Sequence, residues 1–142
     1  MLCKIAAILF LAGLAVSDLK TRSIPVWPIP LFAGVITAGH LILRDLPLTE
    51  MLAGMLPGLF LLLLAGIFRS SVGAGDGMTA AVCGMAAGFQ EAFAAIVTAL
   101  LLCSVYSAVL LIRKKASRGD CFPFLPFLAA GHILVLIAGQ IP

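Results

Sequence analysis

The chain has 142 residues, of which 63% are hydrophobic and only 11% charged, with a formal net charge of +3. A soluble domain carries roughly 25% charged residues, so this composition excludes an ordinary water-soluble globule and points to a polytopic membrane protein. The length leaves little room for a membrane domain plus a sizeable soluble one, and one membrane-embedded domain over 1–142 is expected.

The first apolar run, 5–17, opens behind Lys4. Lys4, a short apolar stretch and Ala15-Val16-Ser17 also fit a cleavable signal peptide. Against that reading, the polar segment that follows re-enters an apolar run almost at once, which favours a retained first span. A polar loop is expected at 18–25 (DLKTRSIP), then a second span at 26–43 with Trp27 as an interfacial anchor and Pro28 and Pro30 near its start. A turn at 44–50 leads to a third span, 51–68, and a serine- and glycine-containing loop, 69–75. A short fourth run covers 77–89, a fifth 92–112 and a sixth 122–141, the last two separated by the basic loop RKKASRGD at 113–120. The expected fold is all-α, a compact bundle of six transmembrane helices.

Lysine and arginine set the orientation. The alternate loops 18–25, 69–75 and 113–121 hold Lys20, Arg22, Arg69, Arg113, Lys114, Lys115 and Arg118. The opposite side holds only Lys4 and Arg44, beside Asp45, Glu50 and Glu91. The basic loops therefore belong in the cytoplasm, near anionic lipid headgroups, and both termini outside. The protein is expected in the cytoplasmic (inner) membrane as a multi-pass chain, with membrane lipids as neighbours and no nucleic-acid signature.

Small residues follow a packing pattern. Ala80, Gly84 and Gly88 recur at four-residue spacing, and Gly54 and Gly58 offer a similar face on the third span. Such stripes let helix backbones approach closely and carry no chemistry of their own. Cys3, Cys83, Cys103 and Cys121 lie far apart with no C-x-x-C pair, so free thiols are expected in place of a zinc site or disulfide framework.

Two carboxylates stand out. Asp18 ends the first span and Asp76 opens the fourth, at the same face of the expected bundle. Ionisable groups at membrane depth are functional candidates by default. The fourth run would rise only ~20 Å as a helix, short of the ~30 Å hydrocarbon core. Asp76 is therefore expected in a recessed, hydrated pocket, with Gly73 and Gly75 permitting a tight turn. Each acid could alternatively serve as a helix cap. His40 and His132 stand alone on separate spans, H-E-x-x-H is absent, and no serine nucleophile motif occurs. Paired carboxylates remain, and two of them close together can share a proton, one acting as base and the other as acid.

Three segments carry a resemblance. GAGDG (73–77) contains the G-x-G-D signature of intramembrane aspartic proteases. DLKTRSIP resembles the first-aspartate motif of the type IV prepilin peptidases, and CFPFLPFLAAG (121–131) resembles the proline–phenylalanine segment at the start of their last span. The three stand in the family's order and cover nearly the whole chain. The resemblance implies an endopeptidase that removes the short basic leader from pilin-like precursors at the cytoplasmic face. Asp18 and Asp76 would be its catalytic pair, Gly73 and Gly75 its active-site loop, and Arg22, Ile24, Pro25, Pro123, Phe124 and Pro126 the motif neighbours; it implies no metal or cofactor. The length is similar to small peptidase-only members serving tight-adherence (Flp-type) pili, and nothing here corresponds to the cysteine-paired methyltransferase region of larger members.

Two positions depart from the pattern: Met78 stands where the family often has lysine, and Val26 where asparagine often follows Ile-Pro. A lysine at 78 would favour the ionised form of Asp76, a pull that Met78 does not exert. The alternatives to a peptidase are a small ion- or proton-relay protein using the same acids, and an inactive scaffold of a pilus assembly machine.

Overall fold

The structure, a computed structural model, describes residues 2–21, 26–67, 73–113 and 124–139. They form six helices: α1 (Leu2–Thr21), α2 (Pro28–Leu43), α3 (Leu48–Ile67), α4 (Ala74–Ala87), α5 (Phe89–Ile112) and α6 (Leu125–Ala138). No strand occurs among the described residues. Three helices are long and apolar enough to cross a membrane: Leu2–Lys20, Leu48–Ile67 and Phe89–Ile112. Pro28–Leu43 and Leu125–Ala138 are apolar but shorter.

The core is α4. It packs against α1, α2, α3 and α5, and ten of its 14 residues are buried. A helix enclosed by others can be short, because its neighbours and not lipid satisfy its surroundings. The α3–α4 contact is the closest in the bundle, and glycine makes it possible. A Cβ on Gly54 would strike the Gly84 carbonyl, one on Gly58 the Ala81 backbone, and one on Gly77 would lie 2.7 Å from Leu62 Cα. As numbers rise along α4 they fall along α3, so the two run antiparallel. The small-residue stripe read from the sequence is thus the seam between these helices, extended by Gly77. Such contacts hold helices by dispersion at short range, since lipid supplies little hydrophobic drive between them.

Around that seam lie two apolar clusters. Leu11 and Leu14 of α1, Leu61 of α3, and Leu125 and Leu128 of α6 close the half of the bundle that holds Asp18. Cys3, Ala7, Ile36, Met51 and Met85 close the other, and Phe10 and Phe32 stack at 3.9 Å between α1 and α2. Large apolar side chains also cover the outside, among them Leu9, Leu31, Phe60, Leu63, Leu101 and Val105. A surface this apolar is costly in water and suits hydrocarbon.

Several boundaries differ from those expected of the apolar runs. α1 continues through Asp18, Leu19, Lys20 and Thr21 before the polar loop, because helical hydrogen bonding does not stop where side chains turn polar. α3 starts at Leu48, within the expected turn, and α6 is shorter than the sixth run. Ala74 and Gly75 are already helical, so Asp76 is the third residue of α4 and not its cap. Gly88, with φ +87, separates α4 from α5 and makes Phe89 the first residue of α5. That backbone conformation suits glycine, which has no Cβ to clash.

Candidate active site

Three helix ends meet at one end of the bundle: the last turn of α1, the first of α4 and the first of α6. Asp18 projects from α1, and its carboxyl accepts a hydrogen bond from the backbone N–H of Leu125, the first residue of α6. Asp76 turns back on its own helix start: its Oδ2 accepts the Gly73 N–H at 3.3 Å, while its N–H donates to the Gly73 carbonyl at 3.0 Å. Each carboxylate therefore answers an orphan donor at a helix N-terminus, where the helix dipole also favours negative charge.

Both acids are buried, at 6% and 8% exposure, and each keeps one oxygen without a hydrogen-bond partner among the described residues: Oδ2 of Asp18 and Oδ1 of Asp76. The two carboxyls are close enough to interact electrostatically. Capping thus occupies only part of each group, and the unpaired oxygens are what a chemical role would use. Buried polar atoms are almost always partnered, so orphaned ones call for an explanation.

The surrounding residues fix this geometry. A Cβ on Gly73 would sit 3.2 Å from Asp76 Oδ2, so a side chain there would crowd the cap. The fully buried Thr79 hydroxyl donates to the Gly75 carbonyl at 2.7 Å and ties down the first turn of α4. Phe124 is the cap residue of α6, half-buried against the Leu125–Leu128 core, and its carbonyl accepts the N–H groups of Phe127 and Leu128, each at 3.0 Å. Pro126 takes the second position of α6, where a missing N–H costs nothing. Arg22, Ile24, Pro25 and Pro123 lie outside the described residues, as does Cys121.

Sequence reasoning missed three contributors. Leu125 acts through its backbone, for which its side chain gives no sign. Gly77 was visible as the last letter of GAGDG, but its need for close approach to α3 was not. Cys103 of α5 shares a hydrogen bond with Ser107 and lies within electrostatic reach of Asp76. Met78 is 39% exposed and two residues from Asp76, so the two side chains do not share a helix face. His40 and His132 are both buried, His132 at the opposite end of the bundle beside Lys4 and Glu91. Cys3, Cys83 and Cys103 are free thiols. Among the described residues no group of three or more His, Cys, Asp or Glu could hold a metal ion.

Two buried acids on different helices, each with an open oxygen, can take up one proton while giving another. Comparison with known proteins shows the family. Residues 5–108 match the model of the type IV leader peptidase family. A prepilin leader peptidase/N-methyltransferase of Bacillus subtilis (strain 168) is 32% identical over 130 residues, covering 89% of this chain and 51% of that protein. The chain thus spans about half the length of this curated relative. No solved structure gives a significant match. With the matched region containing both buried aspartates and the glycine-supported start of α4, the chain belongs to the type IV leader peptidase family.

Proposed function

We propose that this protein is an aspartic endopeptidase that removes the basic leader from pilin-like precursors at the cytoplasmic face of the inner membrane, with Asp18 and Asp76 as its catalytic pair. The observation that carries this reading is the pair itself: two buried carboxyls from α1 and α4, each held by a backbone amide and each with one oxygen unpartnered among the described residues. In the proposed reaction one carboxylate takes a proton from a water molecule as that water attacks the scissile carbonyl. The other, protonated, gives its proton to the carbonyl oxygen. Collapse of the tetrahedral intermediate passes a proton to the departing amine and restores one shared proton to the pair. The methyl-transfer half of the Bacillus relative's name is not assigned to this chain.

The proposed topology has six membrane-embedded helices with both termini outside. It is supported by the packing, which gathers the end of α1 and the starts of α4 and α6 around the aspartates. Lys20 lies at that end, whereas Lys4 and Glu91 pair at the other. An ion-relay role would use the same acids but leaves the family match unexplained.

The test is co-expression with a pilin precursor, with leader loss read by mass spectrometry. Asp18→Asn and Asp76→Asn should each abolish cleavage while the protein still inserts, and each single change should cost about as much as the double, since groups acting as one unit are not additive. Substantial cleavage by purified Asp18→Asn protein would sink the pair.

A further inference from the structure

The end of the bundle away from the aspartates contains a second polar cluster that the peptidase reading does not use. Lys4 of α1 and Glu91 of α5 form an ion pair, and His132 of α6 lies beside them, 7% exposed. The three line one cavity of about 10 Å³, whose remaining wall includes Cys83 and Ala86 of α4 and Leu136 of α6.

The hydrogen-bond polarity of the histidine is fixed on one side. Its Nδ1 lies 3.1 Å from the Leu128 carbonyl, and a carbonyl oxygen only accepts, so Nδ1 carries a proton. In the neutral ring Nε2 is then an acceptor. Nε2 is buried and has no partner among the described residues, although the ring interacts electrostatically with Glu91. Lys4 has three N–H donors and Glu91 accepts one of them. The cluster therefore has an acceptor without a donor beside an ammonium with donors to spare.

We propose that this cavity is a binding site for one water molecule, which donates to His132 Nε2 and accepts from Lys4, joining α6 to the α1–α5 ion pair. The size fits, because a cavity needs roughly 10–15 Å³ to hold one water. So do the partners, because a buried water makes about three hydrogen bonds and the lining offers Lys4, Glu91 and His132. A metal cation is disfavoured by the adjacent ammonium, and a larger ligand by the volume. The water completes a latch across three helices, two of which provide Asp18 and the Leu125 amide at the other end. This inference stands apart from the peptidase reading.

The experiment uses the full chain, labelled with ¹⁵N-histidine, in lipid nanodiscs. The expected result is a His132 Nε2 resonance of a hydrogen-bonded acceptor with a cross peak to water, absent in His132→Gln. A Nε2 resonance of a bare acceptor without a water cross peak would mean a dry cavity and overturn the proposal. Thermal unfolding in detergent gives a second reading through Lys4→Met, His132→Gln and the double variant. If one water links the two side chains, the double variant should lose little more than the worse single; fully additive losses in midpoint would show that no water couples them.

Discussion

A carboxylate at membrane depth can be a cap, a charge relay or a catalyst, and at Asp76 a capping contact at the start of α4 coexists with the catalytic role proposed for it. Oδ2 accepts the Gly73 N–H at the start of α4, and Oδ1 has no partner among the described residues. Gly73→Ala tests how tightly the two functions are joined. The new methyl would lie 3.2 Å from Oδ2, so the carboxyl must yield by a few tenths of an ångström. Leader cleavage should fall on the order of tenfold, given that displacement of about 1 Å at a reacting group costs roughly 100-fold, while insertion is retained. Met78→Lys should do little by comparison. Position 78 is 39% exposed and faces away from Asp76 around the helix, so an added ammonium is screened from the pair. Leader cleavage measured against pH should superimpose for wild type and Met78→Lys; a profile displaced toward lower pH would show the ammonium reaching the carboxyls. The departure from the family pattern is then electrostatically silent, in contrast to the shift that adjacency in sequence suggests.

Among the helices, α4 depends most on its neighbours. Its composition of glycine, alanine and small polar residues made a short, weak span on apolar grounds, and its buried position explains why that suffices. The stripe of Ala80, Gly84 and Gly88 was legible, and so was its purpose as a packing face. Its partner was legible in part: Gly54 and Gly58 were visible, whereas Leu62 was not, because a backbone contact leaves no side-chain signature. Gly77→Ala should therefore be costly, since its Cβ would lie 2.7 Å from both Cα and N of Leu62. Overpacking of this kind costs about 1–3 kcal/mol, and the displaced α4 would carry Asp76 with it. A lowered thermal midpoint together with cleavage reduced by about 10–100-fold is expected. Gly34→Ala is the control: nothing lies within 4 Å of its would-be Cβ, and alanine in a helix interior is favoured over glycine by about 0.5–1 kcal/mol. Its midpoint should hold or rise, with cleavage unchanged.

For the whole molecule, orientation is decisive for the proposed reaction, because a leader on the cytoplasmic side, as proposed, can be reached only if the aspartates open there. Cysteine labelling with a membrane-impermeant reagent tests it. Cys121, in the segment following the basic loop, should react only from the cytoplasmic side. The native Cys3 is buried, so the outer face needs an introduced thiol. Glu50→Cys, at the exposed first turn of α3, should react only from outside. Labelling of Cys121 from outside would invert the bundle and place the carboxylates on the wrong side for the proposed substrate.

Composition and pattern were enough to read an apolar, helical chain and the six helices found among the described residues, because apolar runs of these lengths have few other ways to satisfy their backbones in hydrocarbon. They also identified both acids, since a charge in such surroundings stands out against its neighbours. Only the tertiary structure decided what holds those acids. α1 runs past its apolar stretch, so Asp18 lies inside the bundle and not in a loop, and the Leu125 amide that engages it comes from the far end of the chain. The physical reason is that a backbone donor is the same in every residue but proline. Which one meets a given carboxylate is set by how the helices pack.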